Sequence, residues 1–145
     1  MTILENKEFV ERFVGAANGD PEFARQAKWF DGSILLESGD ERLWLKLYLG
    51  RIIDTLDFIP PISYTFKISG APEFWDALID GSRKFADLTT PGRKPFYNDG
   101  KLDFGPFRSD MVVEGNLMEA SRITEATFIL MEAFVRTAQT RSKGS

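Results

Sequence analysis

The start of the chain carries two helical patterns. Apolar residues such as Phe9 and Phe13 recur every three to four positions between 6 and 18, with charged residues between them, which predicts an amphipathic helix. Gly19 stands where the C-terminal cap of that helix belongs. Asp20-Pro21 then supplies an N-cap and a first-turn proline, so we expect a second helix that runs to about residue 28.

Runs of alternating apolar and polar residues follow, and they predict strands. The runs are 32–38, 43–49, 52–58 and 62–69, with two shorter strands at 101–104 and 111–114. In the run 43–49 the leucines share one side, whereas Trp44, Lys46 and Tyr48 share the other. Because the pattern alternates, we expect a largely antiparallel sheet with one face covered by helices and the other face wet.

Two further helices and a long loop complete the pattern. A helix should begin at Pro72 and end at Gly81. The irregular stretch 82–99 contains two prolines and is long enough to suggest a lid or a binding loop. From 117 to about 138 the chain predicts one helix whose apolar stripe is wider than a surface helix needs. Strands cluster along the chain and helices flank them, which favours an α+β fold.

The composition narrows the chemistry. The 145 residues are 43% hydrophobic and suffice for one domain, which we place at 1–140 with a flexible tail at 141–145. Cysteine and histidine are both lacking, which excludes thiol nucleophiles and the commonest general base and metal ligand, and we expect no cofactor and no metal. The net charge of −4 argues against a nucleic-acid partner. Without an apolar leader or spanning segment, we expect a cytoplasmic protein.

Several short segments resemble the sterol-carrier-protein-2 (SCP2-like) lipid-binding family over most of residues 30 to 135. They are Phe30-Asp31-Gly32, the strand-to-helix run 62–70, the helix 74–81, the "GKL" start at 99–102 and the "EG(D/N)" signature Glu114-Gly115-Asn116. The resemblance implies a five-stranded sheet with helices on one face and an apolar tunnel between the layers. Such a tunnel takes fatty acyl chains, sterols or other hydrophobic small molecules. This chain departs from the family by inserting 105–110 between the last two elements.

Aromatic and methionine residues are the candidate lining of that tunnel, because flat rings and flexible thioethers suit adaptable apolar cavities. The ligand-binding candidates are Phe66, Trp75, Ile79, Phe85, Phe96, Phe104, Met118, Phe128 and Met131. For any one of these residues taken alone, an ordinary packed core is the more common explanation. The basic residues Arg83, Arg93 and Lys94 are candidates to hold an anionic head group at the mouth.

Two alternatives remain open. A small cone-shaped α+β enzyme, an isomerase or cyclase, would act on a hydrophobic substrate, with Asp103 or Tyr97 moving the proton. A self-associating module would instead use Trp44 and Tyr48 as anchors of a homodimer. The leading hypothesis is a non-catalytic carrier of lipids or similar molecules, and its basic loop makes a transient contact with a membrane surface.

Overall fold

A computed structural model describes residues 3–90, 96–98, 101–103 and 109–144, with side chains described at 3–90 and 109–140. Its strands are β1 (Gly32–Ser38), β2 (Glu41–Tyr48), β3 (Arg51–Leu56), β4 (Phe66–Gly70), β5 (Phe96–Asn98), β6 (Lys101–Asp103) and β7 (Met111–Gly115). Its α-helices are α1 (Lys7–Asn18), α2 (Pro21–Ala27), α3 (Pro72–Asp80), α4 (Phe85–Thr89), α5 (Leu117–Arg122) and α6 (Thr124–Gly144), preceded by a 3-10 turn at Ile3–Glu5.

Five strands form one mixed sheet in the order β3-β2-β1-β4-β7. Three of the four pairings are antiparallel, whereas β1 and β4 are parallel, with Ile34 opposite Phe66. The α+β fold with a mainly antiparallel five-stranded sheet is therefore confirmed. β6, which carries Lys101 and Leu102 of "GKL", pairs with β5 in a separate two-stranded sheet, whereas Glu114 and Gly115 of "EG(D/N)" lie on β7.

The helices cover one face of the sheet and form an aromatic core with it. Phe134 on α6 makes edge-to-face contacts with Phe9 and Phe13 of α1, with ring centroids 5.2 and 5.4 Å apart. Trp75 of α3 packs against the same ring at 5.3 Å. The indole N–H of Trp75 donates to the carbonyl oxygen of Glu37 in β1 over 3.0 Å. This bond ties the helical layer to the centre of the sheet.

The opposite face of the sheet is partly covered, not wet as predicted. The segment 57–65 crosses it between β3 and β4, and the Trp44 indole N–H donates to the carbonyl oxygen of Ser63 over 3.0 Å. Trp44 is consequently only 3% exposed, so its predicted role as an exposed self-association anchor is wrong. Tyr48, the other predicted anchor, is exposed.

Three element boundaries differ from the sequence prediction. The predicted strand 62–69 begins only at Phe66, because Ser63 takes a positive φ of 61° and donates its N–H to Pro60 in a turn. The predicted single closing helix is interrupted at Ile123, where φ is −117° and ψ is 32°. The Thr124 hydroxyl donates to the carbonyl oxygen of Ser121 at the break. α6 then continues to Gly144 and includes 141–144, the predicted tail.

A side chain of α1 occupies the backbone hydrogen-bonding groups of one residue on the outer strand β3. The Asn18 carboxamide oxygen accepts the N–H of Ile52 over 2.8 Å, and its nitrogen donates to the Ile52 carbonyl over 3.0 Å. Asn18 is the last residue of α1, so the end of this helix is fixed against the sheet edge.

Candidate ligand-binding site

An open cleft of about 470 Å³ lies between α6 and the chain from the end of α3 to the start of α4. The local sequence produces it in two steps. Gly81 ends α3 in the left-handed conformation with φ +84°, which glycine adopts without a steric penalty. The chain then turns away over 82–84 before α4 begins at Phe85. This detour leaves the outer side of α6 uncovered.

The floor of this larger cleft is apolar and its rim is charged. Leu78 and Met131 are buried in it, whereas Phe85, Phe128 and Val135 are half-buried. Along the rim lie Arg83, Lys84, Glu132, Arg136 and Gln139. Three cations and one carboxylate thus surround an apolar floor, an arrangement that favours an apolar molecule with a negatively charged end.

Two polar contacts hold the walls of the larger cleft in place. The Arg83 guanidinium pairs with the Asp110 carboxylate at 2.9 Å, which connects the 82–84 turn to the chain just before β7. The Gln139 side chain donates to the carbonyl oxygen of Ile79 over 2.9 Å and joins α6 to α3. By contrast, the side-chain cations of Lys84 and Arg136 have no hydrogen-bond or ion-pair partner among the residues whose side chains are described.

A smaller cleft of about 300 Å³ lies where α4, α5 and α6 meet β4 and β7. Phe66 and Val113 form its sheet side, and Leu117 lies at its exposed side. Four residues with hydroxyl groups line it, and three of these hydroxyls, those of Thr89, Thr124 and Thr127, donate to a backbone carbonyl three or four residues earlier, at 2.8 to 3.0 Å. Because these hydroxyls are satisfied, the lining presents chiefly carbon to a ligand.

Phe85 and Phe128 line both clefts. Their rings pack edge to face, with centroids 5.7 Å apart and planes at 81°, the geometry that the aromatic quadrupole prefers. The two half-buried rings therefore form the wall between the larger and the smaller cleft.

The structure brings together most of the predicted site residues that it describes. Phe85, Phe128 and Met131 line the larger cleft with Arg83, and Phe66 lines the smaller one. Trp75 is buried in the aromatic core and, like Ile79, lines neither cleft. Met118 is 79% exposed on α5 and also lines neither. The predicted residues Phe96, Phe104, Arg93 and Lys94 have side chains outside the described part of the chain, as do Asp103 and Tyr97 of the enzyme alternative.

Sequence reasoning missed the outward face of α6. Phe128, Glu132, Val135, Arg136 and Gln139 follow one another at helical spacing along the larger cleft. These positions mix apolar and charged residues. Such a mixture resembles a solvated helix face, so the pattern did not stand out as part of a site. A second apolar stripe beside the core stripe was visible at Phe128 and Met131, but its continuation through Val135 was not recognised.

A carboxylate whose pKa is raised lies away from both clefts. Burial raises the pKa of Glu41 at the start of β2, and the Glu5 carboxylate nearby acts in the same direction. The backbone N–H groups of Leu4 and Glu5 act in the opposite direction and partly oppose the rise of this pKa. In the larger cleft, the carboxylate among the described residues is Glu132, which is exposed.

Comparison with solved structures identifies the fold, whereas comparison of the sequence finds no match. The chain superposes on a crystal structure of sterol carrier protein 2 with a TM-score of 0.62 at 14% identity, covering 94% of this chain and 97% of the other. It also matches the solution structure of a conserved hypothetical protein from Thermus thermophilus, suggested to be a sterol carrier protein, with a TM-score of 0.58 at 13% identity over 91% and 87%. No family model and no curated protein sequence matches the chain. The SCP2-like fold is thus confirmed.

In the part of the chain that the structure describes, none of the helices combines the length and the apolar character needed to cross a bilayer.

Proposed function

We propose that the protein binds hydrophobic small molecules that carry an anionic head, such as fatty acids, and transfers them between membranes. The observation that carries this proposal is the larger cleft, with its apolar floor and its rim of Arg83, Lys84 and Arg136. The likeness to sterol carrier protein 2 structures supports a lipid-binding fold.

Burial of the apolar surface of the hydrocarbon chain supplies the affinity for the ligand. Each methylene group that leaves water contributes about 0.8 kcal/mol, so a chain of about eight methylenes contributes roughly 6 kcal/mol before the cost of association. A cleft of about 470 Å³ lies within the range that takes small organic ligands. The apolar floor provides the surface against which these methylene groups are buried. Its residues Leu78 and Met131 are held in place because they are themselves buried.

The charged rim selects the head group. Arg83 is already paired with Asp110, whereas Lys84 and Arg136 lack a partner among the described side chains. A carboxylate placed between these two cations gains charge-assisted hydrogen bonds. The Asp110 pair keeps the Arg83 side chain against the wall of the larger cleft, so Arg83 adds positive potential there.

Calorimetric titration with dodecanoate, dodecanol and dodecyltrimethylammonium tests the head-group preference. We expect the carboxylate to bind about tenfold more tightly than the alcohol and the ammonium compound to bind most weakly. Arg136→Glu should remove the preference for the carboxylate and leave alcohol binding unchanged. Lys28→Glu, at an exposed lysine that lines neither cleft, is the matched control. Failure to bind any of the three compounds would overturn the proposal.

Transfer requires an apolar contact at the bilayer, and the smaller cleft has one beside it. Leu117 lines this cleft and Met118 follows it, both strongly exposed at the start of α5. The rate at which a fluorescent fatty acid moves between phosphatidylcholine vesicles measures this step. Met118→Asp should slow transfer several-fold without changing affinity in solution, whereas Ile53→Asp, at an equally apolar exposed site on β3, should not. Equal rates for the two variants would contradict the membrane contact.

A further inference from the structure

We infer that the Phe85–Phe128 pair is a partition that sets the chain length of the bound molecule. Short chains remain in the larger cleft, and longer chains enter the smaller cleft only when the two rings separate. The inference rests on the proposed function, because it concerns the ligand of that same site. Its basis is that these two residues line both clefts and lie in edge-to-face contact, 5.7 Å between centroids.

The rings of Phe85 and Phe128 are held in place to different degrees, and this difference identifies the ring that moves. Phe128 lies on the 21-residue helix α6, directly after the buried Thr127 and two residues before the buried Leu130. Phe85 begins α4, a helix of five residues that is held by the buried Leu88 toward its other end and whose N-cap residue Lys84 makes no side-chain capping bond. A helix this short has little stability of its own. Phe85 is therefore the ring that moves, and Phe128 is the surface against which it closes.

The chemistry on the two sides gives the ligand a direction. The cations Lys84 and Arg136 belong to the larger cleft, so a carboxylate head stays there. Beyond the rings the smaller cleft offers Phe66, Val113 and threonine side chains with satisfied hydroxyls. That lining suits a methyl terminus and would leave a charged head without partners. The far end of a long chain is thus the part that crosses the partition.

A series of saturated fatty acids from octanoate to hexadecanoate, each kept below its micelle concentration, tests the partition. For the wild-type protein, each added methylene should tighten binding about fourfold until the larger cleft is filled, after which the gain per methylene falls sharply. In Phe128→Ala the steady gain should continue to longer chains, so that the longest acid binds at least tenfold more tightly than to the wild type. Phe85→Ala should behave in the same way.

Two controls keep the outcome unambiguous. Val135→Ala removes a side chain that lines the larger cleft only, so it should weaken all chains while the gain falls at the wild-type length. Circular dichroism verifies that each variant is folded, and Phe85→Ala carries the test if Phe128→Ala is not. If both phenylalanine variants level off at the wild-type chain length, or the wild type never levels off, the partition is refuted while lipid binding stands. If no acid binds to any of the proteins, the proposed function fails and the partition with it.

Discussion

The two sides of α6 differ in how completely they are packed. On the core side, Phe134 contacts three aromatic rings from α1 and α3 and is fully buried. On the outer side, Phe128 contacts one aromatic ring among the described side chains, that of Phe85, and is half-buried between two clefts. One helix thus carries a closely packed face that stabilises the fold and a loosely packed face that leaves room for a ligand. Similar residue types serve both purposes, and the neighbours decide which one applies.

Replacement of Phe134 and Phe128 by alanine should give the largest difference in stability between the two faces of α6. Phe134→Ala should lower the free energy of unfolding by about 3–5 kcal/mol, because it opens a cavity among rings that cannot collapse fully. Phe128→Ala should cost about 1 kcal/mol, because its ring is only half-buried. Urea unfolding followed by circular dichroism measures both values. Equal losses for the two variants would refute the contrast.

Trp75 tests whether an aromatic residue of the core contributes to ligand binding. Trp75→Phe should lower the free energy of unfolding by about 1–3 kcal/mol, because the Glu37 carbonyl loses its indole donor inside the protein. Binding of dodecanoate should stay within about twofold of the wild-type value, a change of under 0.5 kcal/mol. Met131→Ala, which removes part of the cleft floor, is the comparison and should weaken binding. A larger binding loss in Trp75→Phe would place the ligand elsewhere.

A side chain that fills the larger cleft should have the opposite effect to Trp75→Phe. It should weaken ligand binding and change the stability of the fold little. Val135→Trp places a bulky ring where the hydrocarbon chain is proposed to lie. Dodecanoate binding should weaken at least tenfold, about 1.4 kcal/mol, while the free energy of unfolding falls by only about 1 kcal/mol, because Val135 is half-buried. Glu125→Trp puts the same ring on an exposed position of α6 outside both clefts. Equal binding by the two tryptophan variants would contradict the placement.

The smallest expected effect is the change in stability with pH that is linked to Glu41. Because burial raises the folded-state pKa of Glu41 above its ordinary value of 4.5, its protonated form favours the folded state. The stability linked to this group is therefore present below pH 4.5 and is lost as the pH rises through the folded-state pKa. Glu41→Gln should raise the melting temperature at pH 7 and change it less at pH 4. Thermal melts at both pH values, with Glu11→Gln as an exposed control, measure it; an equal change at the two pH values would contradict the burial effect.

The fold was predictable where local pattern and tertiary packing agree. The capped helices α1 and α2, the paired strands β1 and β2 and the glycine end of α3 lie close to their predicted positions. The prediction was wrong where distant contacts decide. Alternation at Ile62 and Tyr64 resembles a strand, but the turn at Ser63 ends that pattern. Trp44 sits at an outward position of β2, and only the segment 57–65 arriving from β3 buries it.

The candidate site was less predictable than the fold, for a related reason. Phe66, Phe85, Phe128 and Met131 were found because large apolar side chains must meet something inside the protein. Whether that partner is another side chain or open space depends on the path of the chain after Gly81, and residue spacing does not encode this path. Trp75 and Phe128 are therefore alike in sequence pattern, although one is packed in the core and the other borders two clefts.

The carboxamide of Asn18 also has a consequence for the protein at high concentration. β3 is an outer strand, and an unpaired peptide on such a strand is a template for an extended segment from another molecule. At Ile52 both the backbone N–H and the backbone carbonyl are already occupied. An incoming strand must first displace a side chain anchored on α1, so Asn18 hinders strand addition at this point of the sheet edge.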